Sequence, residues 1–168
     1  MKPLPIFLLF LFSATMISAQ ENFVKINGST NVNSFQFINS KFRNDRGAYS
    51  FSEKDLPNII LKVSDFYCGN KMMTKDFQKI LNAEKYPEMT IRFISLIKDQ
   101  KSLLAVIEVK MMNQSKRYQV ELNIQNNKLT GRKNVKFSDF NIIPPKKMGG
   151  VIVVKDDLDL IFSLVMRT

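Results

Sequence analysis

The chain has 168 residues, 45% of them hydrophobic and 24% charged, which is enough to bury one core and too apolar for disorder. It carries no His, no Trp and a single Cys, so a Ser-His-Asp triad, a Cys-His dyad, an HExxH zinc site, a His-ligated haem and an internal disulfide are all excluded within this chain. The formal net charge is +10, with the lysines spread along the chain rather than gathered in one block.

Residues 1–19 read as a secretory signal segment. Lys2 is its positive start, Ile6-Phe7-Leu8-Leu9-Phe10-Leu11-Phe12 its apolar centre, and residues 13–19 are mostly small and polar. The apolar run falls short of the roughly 20 residues that span a bilayer, so cleavage after Ala19, with Ser18 as the competing site, is expected. Residues 20–168 then form one exported domain, periplasmic or secreted. In that setting a basic surface meets membrane surfaces, lipid phosphates or cell-wall polymers rather than nucleic acid, or simply aids solubility.

Most of the remaining chain alternates with period two, the mark of a half-buried strand. In chain order the weaker strands are residues 24–28, 32–40 and 48–51, followed by a clear one through Ile59, Leu61 and Val63. Thr74 is placed to cap a short amphipathic helix over residues 75–82, with Asp76 in its first turn and Phe77, Ile80 and Leu81 on one face. Pro87 ends it. Clear strands follow at Met89, Ile91 and Phe93, at Leu103, Ala105, Ile107, Val109 and Met111, and at Val120, Leu122 and Ile124. Residues 134–142 and 151–154 are weaker, and Leu158, Leu160, Phe162, Leu164 and Met166 give the last clear strand. Turns are expected at Lys98-Asp99-Gln100-Lys101, Asn113-Gln114-Ser115-Lys116, Gln125-Asn126-Asn127-Lys128 and Asp156-Asp157. The short links imply antiparallel neighbours.

So many strands in one domain call for a closed barrel or a two-layer sandwich, and an eight-stranded barrel is just wide enough to be filled by side chains or to hold one narrow ligand. The helix is expected to cover one end of it.

Three stretches carry a family likeness. They are Ile26-Asn27-Gly28-Ser29-Thr30-Asn31-Val32-Asn33-Ser34-Phe35, then Met73-Thr74-Lys75-Asp76-Phe77 leading to Lys85-Tyr86-Pro87-Glu88-Met89-Thr90-Ile91-Arg92-Phe93, and Ser138-Asp139-Phe140-Asn141-Ile142. In this order and spacing the chain resembles the YceI-like family. The resemblance implies an exported, all-β, antiparallel eight-stranded lipocalin-like barrel holding a polyisoprenoid, such as an isoprenoid quinone or polyprenyl phosphate, for transport, storage or sequestration. No spacing of carboxylates or of Ser and Lys marks an enzyme, so neither enzymatic activity nor a cofactor is expected; the alternative readings are a structural or stress-related secreted barrel that binds no lipid, and a carboxylate-dependent hydrolase. The chain departs from the family pattern in the turn Met112-Asn113-Gln114-Ser115-Lys116-Arg117, at Lys136-Phe137-Ser138-Asp139-Phe140-Asn141, and in lacking the family's frequent early His.

The inward set Phe35, Phe37, Leu61, Val63, Ile107, Phe137, Phe140, Ile142 and Phe162 has two readings, the wall of an apolar tunnel or a dry core. Met72 and Met73, with Phe77 on the helix, either form a flexible portal or pack the helix down. Lys71, Lys75 and Arg92 are the candidate donors to a phosphate head group. Partners are accordingly a long-chain lipid or polyisoprenoid and a peripheral membrane contact, for a monomer or dimer. Cys68 reads as a buried thiol at a strand end or as a partner in an intermolecular disulfide, and the acids Asp156, Asp157 and Asp159 as a hairpin turn rather than a cation site.

Overall fold

A computed structural model describes residues 22–42, 48–98 and 102–167. The expected leader at 1–19 and most of the turn expected at 98–101 lie outside them. The strands are β1 (Phe23–Thr30), β2 (Ser34–Asn39), β3 (Asn58–Lys62), β4 (Glu88–Lys98), β5 (Leu103–Met111), β6 (Gln114–Gln125), β7 (Lys128–Lys136), β8 (Lys146–Lys147) and β9 (Ile152–Val165), with one helix, α1 (Lys71–Ile80). Eight of the strands form one curled antiparallel sheet in the order β2-β1-β9-β7-β6-β5-β4-β3, and β8 pairs with the start of β9. This is the expected eight-stranded barrel topology, wrapped as a half-barrel.

The two edge strands are drawn together at one corner. Ile38 and Tyr67 exchange both backbone hydrogen bonds at 3.0 Å. Beside them the fully buried Asn39 donates its side-chain amide to the Lys62 carbonyl at 3.1 Å, and its carbonyl oxygen accepts from the Lys41 N–H at 3.0 Å. A buried amide is costly unless both its ends are bonded, and here both are.

The clear strands fall where alternation puts them. Leu158, Leu160, Phe162 and Leu164 are buried on β9, as are Ala105, Ile107, Val109 and Met111 on β5 and Met89, Ile91 and Phe93 on β4. On β6, Val120 and Leu122 point inward but Ile124, next to the hairpin, is exposed. That hairpin turns on Asn126 and Asn127, both left-handed at φ 50° and 62°, as a two-residue turn between twisted strands demands.

Five local readings are corrected. The helix begins at Lys71, a turn earlier than Thr74 would start it, because the Asn70 side chain accepts from the N–H groups of Met72 and Met73 at 2.9 and 3.0 Å. Asp76 is therefore not in the first turn. The strand read over residues 134–142 stops at Lys136, where a 3-10 turn, Phe137–Phe140, takes over. Asp139 causes the break, its carboxylate accepting the Lys136 N–H at 3.1 Å in competition with the ladder. In a strand Phe137 and Phe140 would face opposite ways, whereas three-residue spacing in a 3-10 turn points both inward, and both are buried.

The acids Asp156 and Asp157 sit inside β9 and not in a turn. Gly28 opposes Leu158 while Thr30 opposes Val154, so residues 155–157 bulge against Ser29 alone. Asp156 is taken by Ser138, accepting from its N–H at 2.8 Å and its hydroxyl at 2.5 Å, which together hold the carboxyl below its usual range. Asp159 pairs with Arg132 at 2.5 Å. Residues 48–51 form no strand; Tyr49 makes an isolated bridge to Met166. Cys68 is half-buried rather than buried, its Sγ 3.4 Å from the Asn70 carbonyl and 3.5 Å from the Thr74 hydroxyl.

The seam between β6 and β7 is short. Their ladder joins only Leu122–Gln125 to Lys128–Gly131, after which β6 stays with β5 and β7 with β9. The 3-10 turn fills the gap, and Tyr118 on β6 donates its hydroxyl to Asp139 at 2.7 Å to hold it there.

Candidate ligand cavity

The inside of the sheet is not uniform. Towards Phe51 it is closed by aromatic packing, with Phe93 meeting Phe51 and Phe162 edge-to-face at 5.5 and 5.6 Å. Leu61, Ile107 and Phe162 have no exposed surface at all. At the end covered by α1 a cavity of about 300 Å³ remains, between the helix, the β1–β2 hairpin and the β8–β9 segment.

Its walls are apolar because each bounding element turns an apolar face to the same space. The β1–β2 hairpin supplies Val32, Phe35 and Phe37, α1 supplies Met72, Met73, Phe77 and Ile80, and β9 supplies Ile152 and Val154, with Phe137 between them. Phe37 and Phe77 stack at 4.0 Å with their rings 14° apart, and Phe66 meets Phe77 edge-on at 5.7 Å. Phe35 lies flat on β1 because its cross-strand partner is Gly28, where a Cβ would stand 2.3 Å from the ring. The charged groups at the rim are Asp76 of α1 and Lys147 of β8, joined at 2.9 Å across the opening.

Of the side chains singled out from the sequence, Phe35, Phe37, Met72, Phe77 and Phe137 line this cavity. Leu61, Val63, Ile107, Phe140, Ile142 and Phe162 lie instead in the buried core and are not among its lining residues. The three cations do not converge. Lys71 is exposed at the first helical position, and Lys75 borders a separate groove with Gln78, Lys79 and Glu84 on the outer side of α1. Arg92 points outward between the buried Ile91 and Phe93, and is held by Glu108 at 2.7 Å. Glu108 also takes Arg117 at 3.3 Å, and hydrogen bonds from Arg117 and Arg92 hold its carboxyl below the usual range.

Lys147 was the cation that sequence reasoning missed. The signal available was Pro144-Pro145 ahead of Lys146-Lys147, an extended lead-in whose Pro145 carbonyl accepts the Val154 N–H at 3.1 Å and so lays the lysines along β9. Among the described residues no group of His, Cys, Asp and Glu is arranged to hold a metal ion, and no helix is long and apolar enough to cross a membrane.

A family model described as YceI-like domain matches residues 13–166. No curated protein matches by sequence. Among solved structures, BcnA of Burkholderia cenocepacia superposes with a TM-score of 0.67 at 17% identity, covering 89% of this chain and 98% of that one. The YceI protein of Campylobacter jejuni gives 0.54 at 15% identity over 98% and 96% of the two chains. A polyisoprenoid binding domain from Saccharophagus degradans, implicated in plant cell wall breakdown, gives 0.50 at 10% identity over 85% and 94%. With the sequence match spanning nearly the whole chain and the same sheet recurring in these structures, the chain belongs to the YceI-like family.

Proposed function

We propose that the protein is an exported binding protein for one long apolar chain, a polyisoprenoid such as an isoprenoid quinone or a polyprenyl phosphate, and that the chain enters end-first at the cavity beneath α1. The observation that carries this reading is the cavity itself, walled by Phe, Met, Ile and Val side chains with one ion pair at its rim. The structural neighbour that is a polyisoprenoid binding domain supports the ligand class. Binding of this kind draws on removal of apolar surface from water, roughly 0.8 kcal/mol per buried CH₂, and asks for no ionisable catalyst. A volume of about 300 Å³ is at the lower end of ligand pockets, so the terminal isoprene units are seated and the rest of the chain and its head group stay at the mouth.

Native mass spectrometry of the protein purified from its own host is the direct test, with thermal stabilisation by added farnesol as the second. The expected results are a bound lipid mass, a farnesol-dependent rise in Tm, and loss of that rise in Val154→Trp, which fills the cavity from a half-buried wall. No co-purifying lipid and no stabilisation would make the cavity a packing defect. Export is checked by intact mass, which should place the mature N-terminus near Gln20; a protein retaining residues 1–19 in the inner membrane contradicts it.

A further inference from the structure

Exposed apolar side chains lie at and beside the mouth of the cavity. Val32 at the β1–β2 turn, Met72 and Met73 in the first turn of α1, and Met148 and Val151 between β8 and β9 are all exposed, from 43% at Met73 to 76% at Met72. Scattered exposed apolar residues are ordinary, but five from three distant stretches around one opening form a patch.

The ring is built, not incidental. Asn31 ties the β1–β2 turn to the β8–β9 segment, its side-chain amide donating to the Val151 carbonyl at 2.9 Å and its side-chain oxygen accepting from the Val153 N–H at 3.0 Å. Its own N–H donates to the Val153 carbonyl at 3.1 Å. On the other side Asn70 fixes the two methionines by capping the turn that carries them.

Basic residues flank the ring. Lys71 adjoins Met72, and Lys146 and Lys147 lead directly into Met148. The acid at this rim, Asp76, is already matched by Lys147.

We propose that this rim docks on the surface of an anionic lipid bilayer, with Met72, Met148, Val32 and Val151 entering the headgroup boundary and Lys71 and Lys146 facing lipid phosphates. The proposal rests on the lipid-binding reading above, since an isoprenoid dissolved in a bilayer passes into a cavity whose mouth is pressed to that bilayer without its apolar chain crossing water. Charge complementarity selects this occupant: the chain has a formal net charge of +10, and basic residues beside an apolar face are what anionic leaflets attract. Unbranched methionine side chains suit a surface with no fixed shape.

The test is co-sedimentation of the mature chain with isoprenoid-free vesicles of phosphatidylglycerol and phosphatidylcholine, against vesicles of phosphatidylcholine alone. Retention is expected on the anionic vesicles, falling as salt rises. The variant Met148→Ser/Val151→Ser/Lys71→Gln/Lys146→Gln changes rim residues that do not line the cavity; its retention should fall at least tenfold while farnesol still raises its Tm as in the wild type. Equal retention of wild type on both vesicles, or retention on neither, overturns the proposal. So does undiminished retention of the variant, or a wild-type dimer in sedimentation that the variant abolishes, which would make the ring an interface between copies. Farnesol response without vesicle retention leaves the binding reading standing alone, and retention without farnesol response removes that reading while the docking surface stands.

Discussion

The ring of Phe162 on β9 lies directly against Gly131, its cross-strand partner on β7, so closely that a Cβ at Gly131 would stand 2.3 Å from the ring. The aromatic side chain uses the space a missing side chain leaves, and the same ring then meets Phe93 edge-to-face. Gly131→Ala is expected to destabilise the protein by about 1–3 kcal/mol through overpacking, and Gly131→Ala/Phe162→Leu to recover part of that loss. Urea unfolding midpoints of the two single variants and the double variant measure the coupling; strictly additive losses would show that the ring does not depend on the glycine.

Asn39 holds the corner where the edges of the sheet meet. In Asn39→Ala the Lys62 carbonyl and the Lys41 N–H lose their buried partner, a cost of about 1–3 kcal/mol. Amide exchange should accelerate first at Ile38 and Tyr67, whose bridge lies beside it, and leave β5 unchanged. Uniform acceleration across all strands would mean that the corner opens only with the whole fold.

Two tyrosines bear on stability at alkaline pH. Burial pushes the Tyr49 phenol up to about 12, and Tyr118 is raised further, by burial first and then by its hydrogen bond to Asp139. A phenol whose pKa is higher folded than unfolded adds stability that is complete below the unfolded value near 10 and is lost as pH rises through the folded one. Stability should therefore fall with increasing pH above about 10. Tyr118→Phe should be less stable at neutral pH, having lost the bond to Asp139, but should show a shallower decline between pH 10 and 12 in denaturant titrations.

A head group at the rim should answer to Lys147. Lys147→Gln is expected to weaken polyprenyl phosphate binding without affecting the neutral polyprenol, and Asp76→Asn, which frees the ammonium from its carboxylate, to strengthen it. Lys75→Gln should change neither. Fluorescence competition with both ligands at low salt separates these outcomes.

Ile107 distinguishes what alternation reveals from what it does not. Parity on β5 correctly turns it inward, but only the three-dimensional packing places it in the filled part of the interior, at zero exposure. Ile107→Trp, which a tunnel reading would use as a plug on an intact fold, is expected to lower stability by about 1–3 kcal/mol.

The strands with unbroken alternation were legible because each needs nothing beyond one buried face. Phe137 and Phe140 both face inward, but through a 3-10 turn that strand alternation does not contain, because Asp139 takes the Lys136 N–H in competition with the ladder. Asn70 and Thr74 both suit a helix cap, and Asn is the better of the two; Thr74 instead lies against Cys68. The mouth of the cavity was the least legible part. It joins residues near 32, 72 and 147, and no local pattern announces that Lys147 will face Asp76 across it.

The position of β9 between β1 and β7 bears on how the chain acquires its shape. Every other strand precedes β9 in sequence, yet β9 supplies the ladder that joins the amino-terminal hairpin to the rest of the sheet. Until it emerges, β1 and β7 each present an unsatisfied edge, and pairing β1 to β9 closes a loop of well over a hundred residues. Such long-range closure is slow, so the sheet is completed only once the last strand is in place, and the unpaired edges of β1 and β7 stay open to wrong partners until then.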